Sequence, residues 1–357
     1  MQIEEMTPSL GYKVPEHGGR LRAAAARYGI PHSEWLDLST GVSPFGWPVP
    51  MLTARAWARL PEEDDGLEDA AAAYYGNSNG LAVAGSQAAI QALPAFFPRS
   101  SVVCLSPLYN EHPHAWRAHG HAVRLHPSGD LRGALAFGSQ HIVLCNPNNP
   151  TGHRYDAPEL LEVAASLRAR GGVLVVDEAF IDVNPEESLA PIAGSDAAPN
   201  LIVLRSLGKF FGLAGARVGF LFASTGLRER LASRLGPWTI AGPSREVARL
   251  ALSDRSWQQD MRPCLRAAGL RLVQLLEPLG VVGATPLFAT VFQSRAREVH
   301  DELARAGIFT RYFKDHALVR FGLPDSEESW ERLTAALGRV TRAPECPRQG
   351  KLASPCA

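Results

Sequence analysis

Four short segments hold side chains whose types and spacing could do chemistry together. Asn146-Pro147-Asn148-Asn149-Pro150-Thr151-Gly152 directly follows the apolar run HIVLC. A single Asn-Pro-Gly turn is ordinary loop punctuation. Seven such residues in this order, at a strand end, point further. Asp177-Glu178-Ala179-Phe180 follows VLVV. An aspartate there can cap the next element or hold a cationic ring nitrogen. Arg205-Ser206-Leu207-Gly208-Lys209-Phe210 follows LIVL, and Arg217 comes eight residues after the lysine. The context of Lys209, FFGLAG, is apolar. A desolvated lysine has a lowered pKa and attacks carbonyl carbon more readily, and a nearby cation acts in the same direction. Gly85-Ser86-Gln87 follows LAVA and opens a helical pattern, where N–H groups and hydroxyls can seat a phosphate.

A lysine to carry an aldehyde, an acid beside a pyridine nitrogen, a donor to a ring hydroxyl and an anion cradle are together what pyridoxal phosphate requires. The search for that lysine is narrow. Of 36 basic residues only Lys13, Lys209, Lys314 and Lys351 are lysine, and only Lys209 is central.

These groups must be held by a scaffold, and the sequence outlines one. From residue 66 short apolar runs alternate with helix-length segments. The runs at 81–84, 101–105, 122–125, 141–145, 172–177, 201–204 and 218–223 read as buried strands. Segments 86–96, 109–120 and 158–170 read as the helices between them. This pattern predicts an α/β fold with a mostly parallel sheet covered on both faces. In such sheets the site forms beyond the carboxyl ends of the strands, where all four segments lie. After residue 226 helical patterns dominate, at 226–235, 243–276 and 326–340, with strand candidates at 290–294 and 316–321. A helix is also expected near 18–29, stopped by Gly29. The expected organisation is an N-terminal segment, 1–42, joining a small domain; a large cofactor-binding domain, 43–225; a small α+β domain, 226–341; and a disordered Pro-rich tail, 342–357.

Composition excludes several classes. The 357 residues carry 36 basic and 36 acidic side chains, so no net charge recruits nucleic acid or an anionic membrane. No run of 18 apolar residues suggests a membrane span, and the N-terminus lacks the apolar core of a signal peptide. The five cysteines form no CxxC pair and no metal-ligand spacing, so no metal is expected and a reducing cytoplasm is the expected compartment.

The order Asn149, Asp177, Ser206-x-x-Lys209, Arg217 resembles the fold-type-I, class I/II aminotransferase superfamily of pyridoxal phosphate enzymes. Within it the chain resembles the histidinol-phosphate aminotransferase-like branch, and more narrowly the threonine-phosphate decarboxylases of cobalamin biosynthesis. The segments HGGRLRAAA, DLSTGVSPFG, CNPNNPTG, VVDEAFID, VLRSLGKFFGLAGARVGF and PWTIAG carry that resemblance. It implies a large domain with a mostly parallel sheet and a smaller α+β domain. It also implies roles. Lys209 would bind the cofactor covalently and shuttle protons. Asp177 would pair with the pyridinium nitrogen, Asn149 would bond the ring hydroxyl, and Tyr109 would stack on the ring. Gly85, Ser86, Gln87, Ser206 and Arg217 would hold the cofactor phosphate. Arg320 would bind the substrate α-carboxylate. His17 and Arg22 are candidates for the substrate phosphate, with a helix-cap role as the alternative.

Three positions depart from the superfamily pattern. Phe180 replaces a tyrosine, Gly208 replaces the threonine of SxTK, and Leu60-Pro61 stands for a Tyr-Pro pair whose tyrosine reaches the partner subunit's cofactor. The resemblance implies a homodimer that decarboxylates O-phospho-L-threonine to (R)-1-aminopropan-2-yl phosphate, with contact to the next cobalamin-pathway enzyme as a further expectation. The alternatives are a histidinol-phosphate-type aminotransferase and, given the three losses, a non-catalytic paralogue acting as a pathway partner.

Overall fold

The computed structural model describes residues 16–340; the tail at 342–357 lies outside the described residues. Thirteen strands occur in chain order: β1 (Leu36–Asp37), β2 (Gly80–Val83), β3 (Ser101–Ser106), β4 (Ala122–Pro127), β5 (His141–Cys145), β6 (Leu174–Asp177), β7 (Leu201–Ser206), β8 (Gly219–Phe222), β9 (Val281–Thr285), β10 (Phe288–Phe292), β11 (Ile308–Phe309), β12 (Arg311–Phe313) and β13 (Leu318–Gly322).

A seven-stranded sheet has the order β2-β8-β7-β6-β5-β3-β4. Only β8 runs against its neighbours, pairing antiparallel with β7 and β2. Every residue of β5, β6 and β8 is buried. Alternation divides their side chains between two cores: Ile142 and Leu144 pack on one face, Val143 and Cys145 on the other. This is why the runs are continuously apolar, as a sheet covered on both faces demands.

A four-stranded antiparallel sheet, β12-β13-β10-β9, follows later in the chain. β1 pairs in parallel with β11, so the N-terminal segment joins the C-terminal half. The helices Thr225–Leu235 and Gly242–Ser253 pack on elements of the large sheet's layers, while Arg255–Leu276 packs on β9 and β10.

The helical pattern expected over 243–276 is two helices, Gly242–Ser253 and Arg255–Leu276. Asp254 interrupts it: its side chain accepts the N–H of Trp257 at 3.1 Å and so caps the second helix. The N-terminal helix starts at Leu21, later than expected, and stops at Gly29 in the left-handed conformation. The helices Leu67–Tyr75 and Ala296–Arg305 were not anticipated. No helix among the described residues is long and apolar enough to cross a membrane.

Candidate active site

The Asn-Pro loop after β5 builds itself from its own amides. Asn146 donates to the carbonyl of Tyr155 and accepts the Tyr155 N–H, both at 3.1 Å. Asn148 donates to the carbonyl of Pro107 and to Thr151 Oγ1. Thr290 of β10 donates to the Pro150 carbonyl at 2.6 Å, which pins the loop to the smaller sheet. Gly152, at φ +69°, closes the turn against Ala284, where a Cβ would strike backbone at 2.5 Å. Two asparagines thus hold the loop, and the third, Asn149, lines the cavity with its Oδ1 engaged by Arg320.

Asp177 ends β6, and one of its oxygens accepts the N–H of Ala179. The other lies 2.9 Å from Nε2 of His112, a buried residue of the helix Glu111–Ala118. Cys145, His112 and Asp177 offer ligand atoms within 4.8 Å of one another. Burial pushes the Cys145 thiol well up, and within this group the His112 ring is already engaged by the Asp177 carboxylate.

Lys209 follows the turn after β7. Burial first, then the Arg320 and Arg217 cations, lower its pKa from 10.5 to about 8; Asp177 opposes them. Its Nζ stands 5.6 Å from the centroid of the Phe180 ring. Phe180 in turn packs edge-on against Phe288.

Gly85 precedes the helix Ser86–Ala92 at φ +72°, and a Cβ there would lie 2.6 Å from Nη2 of Arg217. The chain therefore has room for that guanidinium only because residue 85 has no side chain. Tyr109 donates to Gln87 Oε1 at 3.0 Å. A cavity of about 120 Å³ is lined by Gly85, Ser86, Gln87, Tyr109, Cys145, Asn149, Asp177, Ala179, Phe180, Ser206, Lys209 and Arg217. The nine residues expected to meet the cofactor thus surround one space.

Arg320 lies on β13, buried, and donates to the Ser39 carbonyl at 2.8 Å and to Asn149 Oδ1. Burial, with Arg311 adding to it, pushes its pKa down to about 9. Arg311 faces it across the β12–β13 ladder as its direct partner. His17 does not cap a helix: its Nε2 lies 2.6 Å from Glu111 Oε1, and its ring is 5.6 Å from that of Tyr109. Arg22 is exposed and lines neither this cavity nor the second one. Arg20, which precedes the helix Leu21–Tyr28, and Arg27 within it line that second cavity instead. It measures about 400 Å³ and is lined by His17, Arg311 and Lys314 as well.

Below the site, three buried charges tie β6 to β7. Arg205 bonds Glu178 Oε2 at 3.2 Å and Asp182 Oδ1 at 2.5 Å. Ser188 donates to Glu178, and Tyr74 donates to Asp182. Glu178 and Arg205 are the immediate neighbours of Asp177 and Ser206.

Comparison with known proteins places the chain in a family. The model of the family described as aminotransferase class I and II matches residues 51–352. The chain belongs to that family. It is 51% identical to a threonine-phosphate decarboxylase of Pseudomonas aeruginosa over 325 residues, covering 90% of this chain and 97% of that one. It is 40% identical to a threonine-phosphate decarboxylase of a Sinorhizobium species, covering 91% and 98%. A histidinol-phosphate aminotransferase of Sinorhizobium meliloti, solved in complex with pyridoxal-5'-phosphate, has the same fold, with a TM-score of 0.81 at 22% identity over 96% of this chain and 99% of that one.

Glu111, His112 and Arg311 are the site residues that sequence reasoning missed. Glu111 and His112 follow Tyr109 so closely that they read as a helix start. Arg311 was one arginine among many.

Proposed function

We propose that this protein is a pyridoxal phosphate-dependent decarboxylase of O-phospho-L-threonine that releases carbon dioxide and 1-aminopropan-2-yl phosphate. The observation that carries this reading is the 51% identity to a threonine-phosphate decarboxylase over 97% of its length. The donor set fits the cofactor. A desolvated amine, a carboxylate, an amide and a glycine-opened arginine surround one cavity, and the closeness of Gly85 to Arg217 leaves an anion seat.

Bound there, the cofactor supplies a sink for the electron pair left at Cα when a bond to that carbon breaks. Asp177 would hold the ring nitrogen, with His112 fixing the carboxylate from behind. Asn149 would meet the ring hydroxyl. Ser86, Ser206 and Arg217 would take the cofactor phosphate. Lys209, neutral in part near pH 8, would bind the aldehyde carbon and return a proton at Cα after the carboxylate departs.

Which bond breaks depends on how the substrate is turned, and therefore on its anion contacts. Arg320 and Arg311 are adjacent cations with no salt bridge among the described residues. Arg320, next to Asn149, would take the carboxylate. Arg311, opening to the second cavity beside His17, would take the substrate phosphate. A substrate with two anionic ends relieves the repulsion between the two arginines. Phe180 gives Lys209 an apolar neighbour in place of a phenol, which leaves the proton transfer at Cα to the Lys209 amine.

A homodimer is part of the proposal. Val49, Met51, Trp57 and Leu60 leave large apolar side chains in solvent within one short stretch. That stretch holds Leu60-Pro61, where the superfamily resemblance implies a residue that crosses between subunits.

The test is a product assay: purified protein, pyridoxal phosphate and O-phospho-L-threonine, without any ketoacid. Carbon dioxide and an amine phosphate are expected. Turnover only when 2-oxoglutarate is added to histidinol phosphate would replace this reading with transamination.

A further inference from the structure

Glu111 is a buried carboxylate in the first turn of the helix Glu111–Ala118, 6% exposed. Its only ion-pair partner among the described residues is His17, at 2.6 Å from Oε1. Its other oxygen accepts from Gln87 Nε2 at 2.8 Å and from Gln91 Nε2 at 2.7 Å. Gln87 in turn accepts the Tyr109 hydroxyl. The side chain therefore joins the N-terminal segment to the wall of the cofactor cavity.

His17 stands where the two cavities adjoin. Its ring packs against Tyr109 of the inner cavity, and it lines the outer one with Arg311 and Lys314. With Nε2 engaged by Glu111, its Nδ1 has no partner among the described residues. A ring tied at one nitrogen and free at the other has a fixed direction. With its other oxygen occupied by Gln87 and Gln91, Glu111 offers Oε1 to His17 as a buried anchor.

We propose that Glu111 is the positioning residue that aims His17 at the substrate's phosphate, and so sets the site's preference for a phosphorylated amino acid. The inference rests on the decarboxylase reading above and adds a residue to it. Glu111 itself touches neither substrate nor cofactor. Removing its charge loosens His17, which costs affinity for the phosphorylated end and leaves the chemistry at Cα in place.

The test uses the holoenzyme and the variants Glu111→Gln and Glu111→Asp. For Glu111→Gln, KM for O-phospho-L-threonine rises about tenfold, while kcat stays within about threefold. The inhibition constant of unphosphorylated L-threonine is unchanged, and the visible band of the bound cofactor keeps its wavelength. Glu111→Asp restores most of the lost affinity. Adding His17→Asn to Glu111→Gln costs less than His17→Asn costs alone, since both act through one contact. Equal losses for phosphorylated and unphosphorylated ligands, a loss confined to kcat, or a displaced cofactor band would overturn the proposal. If wild-type protein fails to release carbon dioxide, the decarboxylase reading falls separately. Calorimetry with inorganic phosphate then decides: about tenfold weaker binding to Glu111→Gln supports the inference, and equal binding ends it.

Discussion

Arg311 and Arg320 are direct partners across the β12–β13 ladder, and neither forms a salt bridge with a described carboxylate. Like charges placed opposite each other on a sheet are destabilising. Burial magnifies this at Arg320, whose pKa falls to about 9. A chain that tolerates such a pair has a use for two anions side by side. Replacing Arg320 with lysine keeps a cation and loses the planar fork. The expected outcome is a fall in kcat/KM for O-phospho-L-threonine of about 100-fold. Arg311→Leu should instead narrow the preference for phosphorylated over free threonine, read by comparing the two ligands in competition.

Lys209 sets a pH dependence whose sign follows from its surroundings. Its amine loses its proton near pH 8 when folded, against 10.5 in the unfolded chain. Between those values the folded chain binds fewer protons, so the stability of cofactor-free protein rises with pH across that window. The rate of cofactor capture, followed by absorbance, should climb with pH and level off above a midpoint near 8. Arg320→Met removes one of the cations that favour the neutral amine, so the midpoint moves upward. A midpoint near 10 in the wild type would contradict the desolvated site. Lys209→Ala abolishes turnover.

Gly85 and Gly208 make a contrasting pair. Alanine at 85 meets Arg217 at 2.6 Å in a left-handed backbone, whereas alanine at 208 meets Ala214 at 3.2 Å with no such strain. Gly85→Ala should weaken cofactor binding at least about tenfold, and Gly208→Ala less than about threefold. Equilibrium titration of each variant with pyridoxal phosphate measures both.

Arg205→Met leaves Glu178 and Asp182 buried without their cation. Breaking a buried ion pair this way costs about 3–5 kcal/mol. Urea unfolding should show that loss as a lower midpoint with an unchanged slope. Replacing Glu178 and Asp182 by leucine in the same chain should recover part of it.

The sequence made the large sheet legible because its central strands are apolar throughout and are spaced by helices; the edge strand β4, read as buried, is instead largely exposed. Lys209, Asp177, Asn149 and Gly85 were legible for the same reason: each ends an apolar strand or lies within four residues of its end, and parallel strands bring their carboxyl ends together. The smaller sheet was harder to read. β9 is only partly buried and β12 has just three residues, so neither leaves a strong pattern. Glu111 with His17, and Arg311 with Arg320, depend on contacts that no local period encodes; the first pair is 94 residues apart in sequence. Arg22 was the hardest to place from sequence, because nothing local distinguishes it from Arg20 and Arg27, and it is these two that line the outer cavity.

The Arg205–Glu178–Asp182 cluster also bears on how the chain reaches its native state. An intermediate that docks β6 without β7 would strand ionised groups inside apolar surroundings, so partly formed versions of the large sheet are penalised. The strand ends that present Asp177 and Ser206 are set by the same pairing. Competence to accept the cofactor should therefore appear together with the last cooperative step of folding, and a half-folded chain should not capture it.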